Sequence, residues 1–338
     1  MKYLFYLFII SISITACEVV DDPYPSNLDE SVTGDSLVSV GDGTNADSLA
    51  ALFDSLGLFA DTEYKIEQGL NLGSTDSLRK FILNNRWEIS EAPDNSNRRF
   101  MTLEEFTGHE CIFCPLGTKE IIRLDSIYQE QLIPIAIHAG NFARPRSSGS
   151  KFTTDFRVSG GHGETYQRDF SVSGYPAGIV SRLSTQVTSS GVWETDINSI
   201  KADLPIAELK LKSFFSDSLK VLRAQIDIIP LVASSANYNL QVFLKEDNII
   251  DWQKDAFSNP VDIEFYNHRH VLRKVVNDTY GFQLPAWQVG DTLSYQYVTT
   301  INSNWKVEDM EVVTFIFNRD PSSLEVIQAN AAHFIGND

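Results

Sequence analysis

The sequence predicts an α/β domain followed by an all-β domain, with an acidic segment of low hydrophobicity before both. Residues 18–64 contain eleven acidic residues and no Lys or Arg. Residues 99–204 alternate strand-like apolar runs with amphipathic helical patterns. After Pro205 the apolar residues recur with a period of two in several short segments. The chain has 338 residues, 43% of them hydrophobic, which is enough for two separate cores.

The composition excludes several classes of protein. There are 27 basic and 45 acidic residues, which gives a net charge of −18. Such a chain repels nucleic acid phosphates, so we expect no nonspecific nucleic acid binding. Three cysteines are too few for a disulfide scaffold. We expect no cofactor.

The N-terminus has the pattern of a bacterial lipoprotein signal. Lys2 precedes an apolar core over residues 4–12, and small residues lead to Cys17 in Ile-Thr-Ala-Cys. This resembles a lipobox, so we expect removal of residues 1–16 and acylation of Cys17, which would anchor the protein stably to a membrane. The alternative is an ordinary secretory signal in which the cysteine is accidental.

Residues 17–98 read as an acidic, Ser- and Asp-rich tether with a transition segment at its end, because low hydrophobicity and one-sign charge favour an extended chain. The triplet Asp-Ser-Leu occurs four times here. It resembles the O-glycosylation signal of Bacteroidetes envelope proteins, and the alternative is a turn or helix cap. Asp217-Ser218-Leu219 and the related Asp291-Thr292-Leu293 also match this signal, and both fall where we expect strands. The candidate serines in the tether are Ser36, Ser48, Ser55 and Ser77.

The α/β domain is predicted over residues 99–204. A strand over 100–106, a helix over 111–130 and a buried strand over 132–138 come first. A polar stretch over 139–163 separates them from the later elements. Those are a helix over 164–170, a strand over 177–183 and a helix over 193–202.

The all-β domain is predicted over residues 205–338. Apolar and polar residues alternate at 207–211, 222–228 and 238–244, and strand-like runs recur at 292–299 and 312–317. Several short strands with little helix predict a β-sandwich.

The chemistry is predicted at Cys111 and Cys114. The two form a CxxC motif after a strand and at the start of a helix, where residues three apart are about 5–6 Å from each other, within disulfide range. Unpaired N–H groups and the helix dipole favour a thiolate at Cys111, which we assign as the nucleophile. Cys114 would resolve the mixed disulfide.

Flanking residues resemble those of thioredoxins. There an acidic residue followed by Phe stands near the buried cysteine, and Glu105-Phe106 matches this pair, so Glu105 is expected to move a proton to or from Cys114. Thioredoxin-like folds also carry a cis-proline facing the dithiol, and Pro176 before a predicted strand fits that place. Tyr175 and Pro176 are then expected to hold the substrate backbone. His109, beside the turn, is assigned to the same surface and could stabilise the Cys111 thiolate.

Three segments together resemble a known family. They are Glu-Phe-Thr-Gly-His-x-Cys-x-x-Cys-Pro from Glu105, Ile-Ala-Ile-His-Ala-Gly from Ile135 and Gly-Tyr-Pro from Gly174, and residues 268–273 with Gly281 extend the match. The chain is similar to the outer membrane protein 28-related lipoproteins of Bacteroidetes from about residue 100 onward. The resemblance implies a thioredoxin-like domain, an immunoglobulin-like β domain and an outer-membrane location, facing the periplasm or the cell surface.

Two functions remain open at this point. In the first, the lipid-anchored protein exchanges disulfides with protein or peptide thiols in the envelope. In the second, it is a surface binding or adhesion protein whose CxxC is a structural disulfide. The bulky dipeptide Ile112-Phe113 between the cysteines could form a docking surface, or it could mark a site that is no longer adapted to redox turnover. An exposed Cys111 beside Pro176 would favour exchange, and a cover made by residues 139–163 would favour the scaffold.

Metal and haem readings have less support. His109 and His138 could join the two thiolates around a metal, but no zinc-like pair spacing accompanies them, so we predict no metal site. Covalent haem attachment requires His directly after the second cysteine, and Pro115 stands there instead.

Overall fold

The computed structural model describes residues 63–66, 87–235, 237–320 and 322–335. This part of the chain is mostly β-sheet, with three α-helices. None of its helices has the length and apolar character needed to cross a bilayer. The helices are α1 (Cys114–Tyr128), α2 (His162–Asp169) and α3 (Ser190–Ile200). The strands are β1 (Glu63–Ile66), β2 (Glu88–Glu91), β3 (Met101–Thr107), β4 (Leu132–His138), β5 (Ala177–Val180), β6 (Ala207–Ser216), β7 (Val221–Pro230), β8 (Tyr238–Glu246), β9 (Ile249–Lys254), β10 (Asp262–His268), β11 (Val271–Val275), β12 (Phe282–Gln283), β13 (Leu293–Thr300), β14 (Met310–Asn318) and β15 (Val326–His333).

Strands β3 and β4 lie at the centre of the α/β region. They pair in parallel from Met101↔Leu132 to Thr107↔His138, and every residue of both is buried. Helix α1 makes the crossover between them, as a parallel pair requires. Strand β5 pairs antiparallel with β3. The apolar run that predicted a strand buried on both faces is confirmed in β4.

Helix α1 begins at Cys114 and ends at Tyr128, so the prediction of a helix over 111–130 was wrong at both ends. Pro115 explains the start, because proline has no N–H to donate and is accommodated in the first turn of a helix. Cys111 therefore lies in the turn before the helix, and the Cys114 N–H donates to its carbonyl at 3.3 Å. The predicted strand over 177–183 is also shorter, ending at Val180.

One eight-stranded sheet contains strands from both sides of residue 205. Its order is β15-β14-β8-β11-β4-β3-β5, with β12 paired to β8. The connection is the parallel pairing of β11 with β4 at Val271↔Ala136, where the Ala136 N–H donates to the His270 carbonyl at 2.7 Å. Residues after β8 are thereby brought beside the carboxyl end of β4. The sequence patterns did not predict this contact.

The segments with a period of two after Pro205 are strands, as predicted. They form the antiparallel pair β6–β7 and the antiparallel pair β8–β14. A second sheet has the order β1-β13-β7-β6-β2. The two sheets share one core, in which Leu211 and Ile226 of one sheet and Val242 and Val312 of the other are buried. Burial of each such side chain contributes about 1.5–3 kcal/mol.

A buried ion pair fixes β3 inside the large sheet. Arg182, two residues after β5, donates from Nε and Nη2 to the Glu104 carboxylate at 2.6 and 2.7 Å, and both side chains are fully buried. This two-bond geometry matches the planar guanidinium to the carboxylate. Four aromatic rings surround the guanidinium, with centroids 5.0–5.4 Å away: Tyr166, Phe170, Phe315 and Phe317.

Breaking this pair is expected to destabilise the fold strongly. Glu104→Gln leaves the Arg182 charge buried without its counter-ion, and removal of one partner of a buried pair costs about 3–5 kcal/mol. Urea unfolding measures the loss. Glu91→Gln is the matched control, because the Glu91–Lys212 pair is exposed and is worth about 1 kcal/mol or less. Equal effects of the two substitutions would contradict this assignment.

Candidate functional site

A disulfide joins Cys111 and Cys114, whose Cα atoms are 5.4 Å apart. The loop between β3 and α1 carries it, and its turn is closed by the Cys111 N–H, which donates to the Gly108 carbonyl at 3.0 Å. Cys111 is 3% exposed and Cys114 is 1% exposed. Both cysteines are thus covered by other parts of the chain.

The cover is the β-hairpin formed by β9 and β10, residues 249–268, which we call the cover hairpin. Backbone N–H groups of Lys254 and Ala256 donate to the carbonyls of His109 and Ile112 at 2.9 and 2.8 Å. The Gln253 side-chain amide donates to the Cys111 carbonyl at 3.0 Å. Three hydrogen bonds therefore attach the hairpin to the CxxC turn.

Side chains reinforce this attachment. Lys254 Nζ lies 2.9 Å from Glu110 Oε2, and the rings of Phe257 and Phe113 have centroids 6.2 Å apart. Sequence reasoning missed the hairpin, because its residues lie about 140 positions after the cysteines. The one available signal was the strand-like run before His268, which carries no information about its partner.

The loop over 139–163 covers His109 from another side. The His109 ring lies between those of Phe152 and Phe156, at 5.4 and 5.7 Å, and Nε2 lies 3.2 Å from the Arg144 carbonyl oxygen. His109 is buried, and this burial lowers its pKa below the usual value. The ring is therefore neutral at pH 7 and supplies no charge to a Cys111 thiolate. In this state His109 presents no surface to a substrate.

Glu105 and Glu104 are neighbours on β3, so their side chains project from opposite faces of the sheet. Glu104 meets Arg182, whereas Glu105 faces α1. A Cβ added at Gly117 in α1 would lie only 2.2 Å from Glu105 Oε1 and 2.9 Å from Pro176 Cβ. Glycine is thus required there, and Glu105, Pro176 and the start of α1 meet at one place. Two predicted site residues, Glu105 and Pro176, therefore both lie against Gly117 of α1.

The Glu105 carboxyl is buried without compensation. Its Oε1 has no hydrogen-bond partner among the described residues. Desolvation by burial raises the pKa of Glu105 to about 8. A carboxyl in this state is mostly protonated at pH 7 and can both accept and release a proton near that pH.

Tyr175 and Pro176 are joined by a cis peptide bond directly before β5. The Tyr175 hydroxyl donates to the Ala139 carbonyl at 2.9 Å, and its ring lies 5.8 Å from that of Phe142. Both residues are half-buried. Pro176 lies beside α1 at Gly117, and Tyr175 contacts the segment after β4.

Apolar side chains are exposed around the covered turn. Ile112 and Phe113 are 38% and 48% exposed, and Phe257 at the tip of the cover hairpin is 66% exposed. Leu116, in the first turn of α1, is also exposed. The bulky dipeptide between the cysteines therefore contributes to an apolar surface.

Several predicted sites lie outside the described residues: Cys17, Ser36, Ser48, Ser55 and Ser77. The two further Asp-Ser/Thr-Leu triplets were expected in strands, and this was wrong for their hydroxyl residues. Ser218 is exposed in the turn between β6 and β7, and Thr292 is exposed just before β13. Asp and Ser favour turns because their side chains bond to nearby backbone. In the part of the chain that is described, no three His, Cys, Asp or Glu side chains are grouped to hold a metal.

The fold and site define a β-rich protein with a disulfide before a crossover helix and a hairpin over that disulfide. Residues 163–334, about half of the chain, match the family of outer membrane protein Omp28, and the chain belongs to that family. The matched segment includes Tyr175, Pro176 and the cover hairpin, and begins after Cys111 and Cys114. The resemblance expected from the sequence is thereby confirmed.

Two solved structures are similar to this chain, and the first of them has a similar fold. HBP35 of Porphyromonas gingivalis is similar with a TM-score of 0.54 and 16% identity, over 70% of this chain and 76% of that one. Protein AGR_C_4864 from Agrobacterium tumefaciens aligns with a TM-score of 0.45 and 12% identity, over 70% of this chain and 96% of that one. No curated protein matches the sequence.

Glu105 is expected to make stability fall as pH rises. Between its usual pKa of 4.5 and about 8, the unfolded chain has released this proton and the folded chain keeps it. Stability then decreases with pH across that window, by up to about 5 kcal/mol. Glu105→Gln has no such proton. The unfolding free energies of both proteins should be measured from pH 4 to 9. The stability of Glu105→Gln relative to the wild type should increase as the pH rises, and a difference that does not change with pH would refute the buried-acid assignment.

Gln253 is expected to slow reduction of the disulfide. Gln253→Met keeps the side-chain length but removes the donor to Cys111, which weakens the cover by about 1 kcal/mol and should speed reduction by dithiothreitol about fivefold. The control is Gln225→Met, which removes a hydrogen bond to Asp227 in the other sheet. Unchanged kinetics in Gln253→Met, or equal acceleration in both variants, would argue against a role of the hairpin in access.

Proposed function

We propose that this outer membrane family member is a lipoprotein, anchored through Cys17, that exchanges disulfides with envelope proteins. The observation that carries the proposal is Glu105. A fully buried, unpartnered carboxyl is costly to the fold, and here it lies beside Pro176 and the helix that starts at Cys114. Acids with such raised pKa values concentrate at functional sites.

The proposal includes the finer fold assignment. Residues 99–204 would form a thioredoxin-like domain, supported by the parallel β3–α1–β4 unit and the antiparallel β5 that follows Pro176. Residues 205–338 would form an immunoglobulin-like domain, supported by antiparallel strands in two sheets around one core.

The exchange reaction balances within these groups. In the reduced protein the Cys111 thiolate attacks a substrate disulfide, forming a mixed disulfide and releasing one substrate thiolate, which takes up a proton. Cys114 then gives its proton to ionised Glu105 and attacks the Cys111 sulfur. The Cys111–Cys114 disulfide re-forms and the second substrate thiolate leaves. Two electrons pass from the dithiol to the substrate, and an external thiol must restore the dithiol.

The apolar surface fits substrates that are polypeptides. Ile112, Phe113 and Leu116 surround the entry to the dithiol, and Phe257 extends the surface once the hairpin opens. Exposed apolar groups near one point mark sites of protein interaction. Partly unfolded envelope proteins expose both disulfides and apolar side chains.

A second function has one specific observation in its favour. Both cysteines are buried beneath three hydrogen bonds from the cover hairpin. A permanently covered disulfide would be structural, and the chain would then act as a surface binding or adhesion protein through its other faces.

The reduction potential separates the two functions. Equilibration of the protein with dithiothreitol or glutathione buffers should give a potential between about −120 and −270 mV, the range of known exchange proteins. A value below about −300 mV would overturn exchange and favour the structural disulfide. Glu105→Gln should slow turnover about a hundredfold, while Glu120→Gln on the outer side of α1 should not change it.

A further inference from the structure

A small cavity adjoins Glu105. Its volume is about 20 Å³, and its lining includes Glu105, Gln253, His138, Tyr266, His268 and His270. One water molecule needs roughly 10–15 Å³ by this measure, so the cavity is large enough for one. Its walls come from β3, α1, β4, both strands of the cover hairpin and the turn before β11.

Three of the lining side chains have polar atoms without a hydrogen-bond partner among the described residues. They are Glu105 Oε1 and both ring nitrogens of His138 and of His270. Buried polar atoms in folded proteins are almost always hydrogen-bonded to protein or to ordered water. A single water with three bonds can serve one atom of each side chain: Glu105 Oε1, one ring nitrogen of His138 and His270 Nε2.

His270 also lines a second, larger space. This groove has a volume of about 670 Å³ and is bordered by carboxylates that include Asp125, Asp247 and Asp309. The ring nitrogen Nδ1 of His270 lies 3.3 Å from Asp247 Oδ1. The backbone N–H of His270 donates to the same oxygen at 2.7 Å. The ring is thus held between the groove and the cavity that contains Glu105.

The other titratable groups around the cavity are less suited to carry a proton outward. Burial holds the pKa of His138 well below its usual range, and burial lowers the pKa of His268 to about 4, so both rings stay neutral. Burial raises the pKa of Tyr266 to about 12. Arg269 lines both spaces, and its guanidinium has no acceptor atom for a proton.

We propose that His270 relays protons between Glu105 and the acidic groove through one water in the cavity. The inference rests on the proposed function, because Glu105 must release and regain a proton in each exchange cycle. The proton taken from Cys114 passes from Glu105 to the water, then to His270, and leaves through the groove. The cover hairpin can therefore close the dithiol without trapping this proton.

His270→Asn tests the relay. His270 has a φ of +56°, a conformation that asparagine adopts more readily than most residues. The variant keeps the backbone and removes the ring that exchanges protons. His333→Asn is the matched control, since His333 lines the groove and not the cavity. Ala136→Val is a second test that keeps His270 and fills the cavity instead.

The measurement is ¹³C NMR of glutamate side-chain carboxyls in the oxidised protein, with Glu105→Gln assigning the resonance. At the titration midpoint the exchange line shape reports the rate of proton transfer. His270→Asn and Ala136→Val should slow this rate about a hundredfold, the lower range for a positioned proton-transfer group, and His333→Asn should not.

Two results would overturn the relay: a wild-type rate in both test variants, or equal slowing by His333→Asn. If His270→Asn fails to fold, the Ala136→Val result decides. The oxidised protein performs no exchange during the measurement, so the outcome is independent of the reduction potential. The reduction potential tests disulfide exchange, and the NMR rate tests the relay. Failure of one proposal can therefore be distinguished from failure of the other.

Discussion

The Glu104–Arg182 ion pair on one face of β3 determines the environment of Glu105 on the other face. Two adjacent glutamates in a fully buried strand are an unfavourable combination, because each charge must leave water. Glu104 is compensated by Arg182 inside a ring of four aromatic side chains. This pair joins β3 to the segment that follows β5. The neighbouring Glu105 therefore projects from the other face of β3 toward α1, where its Oε1 has no hydrogen-bond partner among the described residues. Its raised pKa is a consequence of that geometry.

The contacts of the cover hairpin determine how often the disulfide would be exposed. Its three hydrogen bonds contribute roughly 1 kcal/mol each, and the partly buried Lys254–Glu110 pair adds up to about 2 kcal/mol. A total of roughly 3–5 kcal/mol lies at or below the bottom of the 5–15 kcal/mol typical of global unfolding. The fraction of molecules with an exposed disulfide would then lie between about one in a hundred and one in several thousand. Burial of the cysteines is compatible with exchange at that level.

Local patterns predicted most of what is local. The strand–helix–strand order around Cys111, the buried run in β4 and the period-two strands after Pro205 follow from apolar spacing alone. The meeting of Glu105 and Pro176 followed from a resemblance, because no spacing relates residues 71 positions apart. The start of α1 at Cys114 could have been read from Pro115. The pairing of β11 with β4, the hairpin over the disulfide and the salt bridge from Arg182 depend on contacts between distant segments, which sequence periodicity does not encode.

The central claim is that the cover hairpin opens while the rest of the fold stays intact. Hydrogen–deuterium exchange of the Lys254 and Ala256 backbone amides in the oxidised protein tests it most directly, because these amides donate to the CxxC turn. Local opening predicts that both exchange with a free energy of roughly 3–5 kcal/mol, below that of the β3 and β4 amides. If the Lys254 and Ala256 amides exchange only together with the β3 and β4 amides, through global unfolding, then the disulfide is never uncovered in the folded protein.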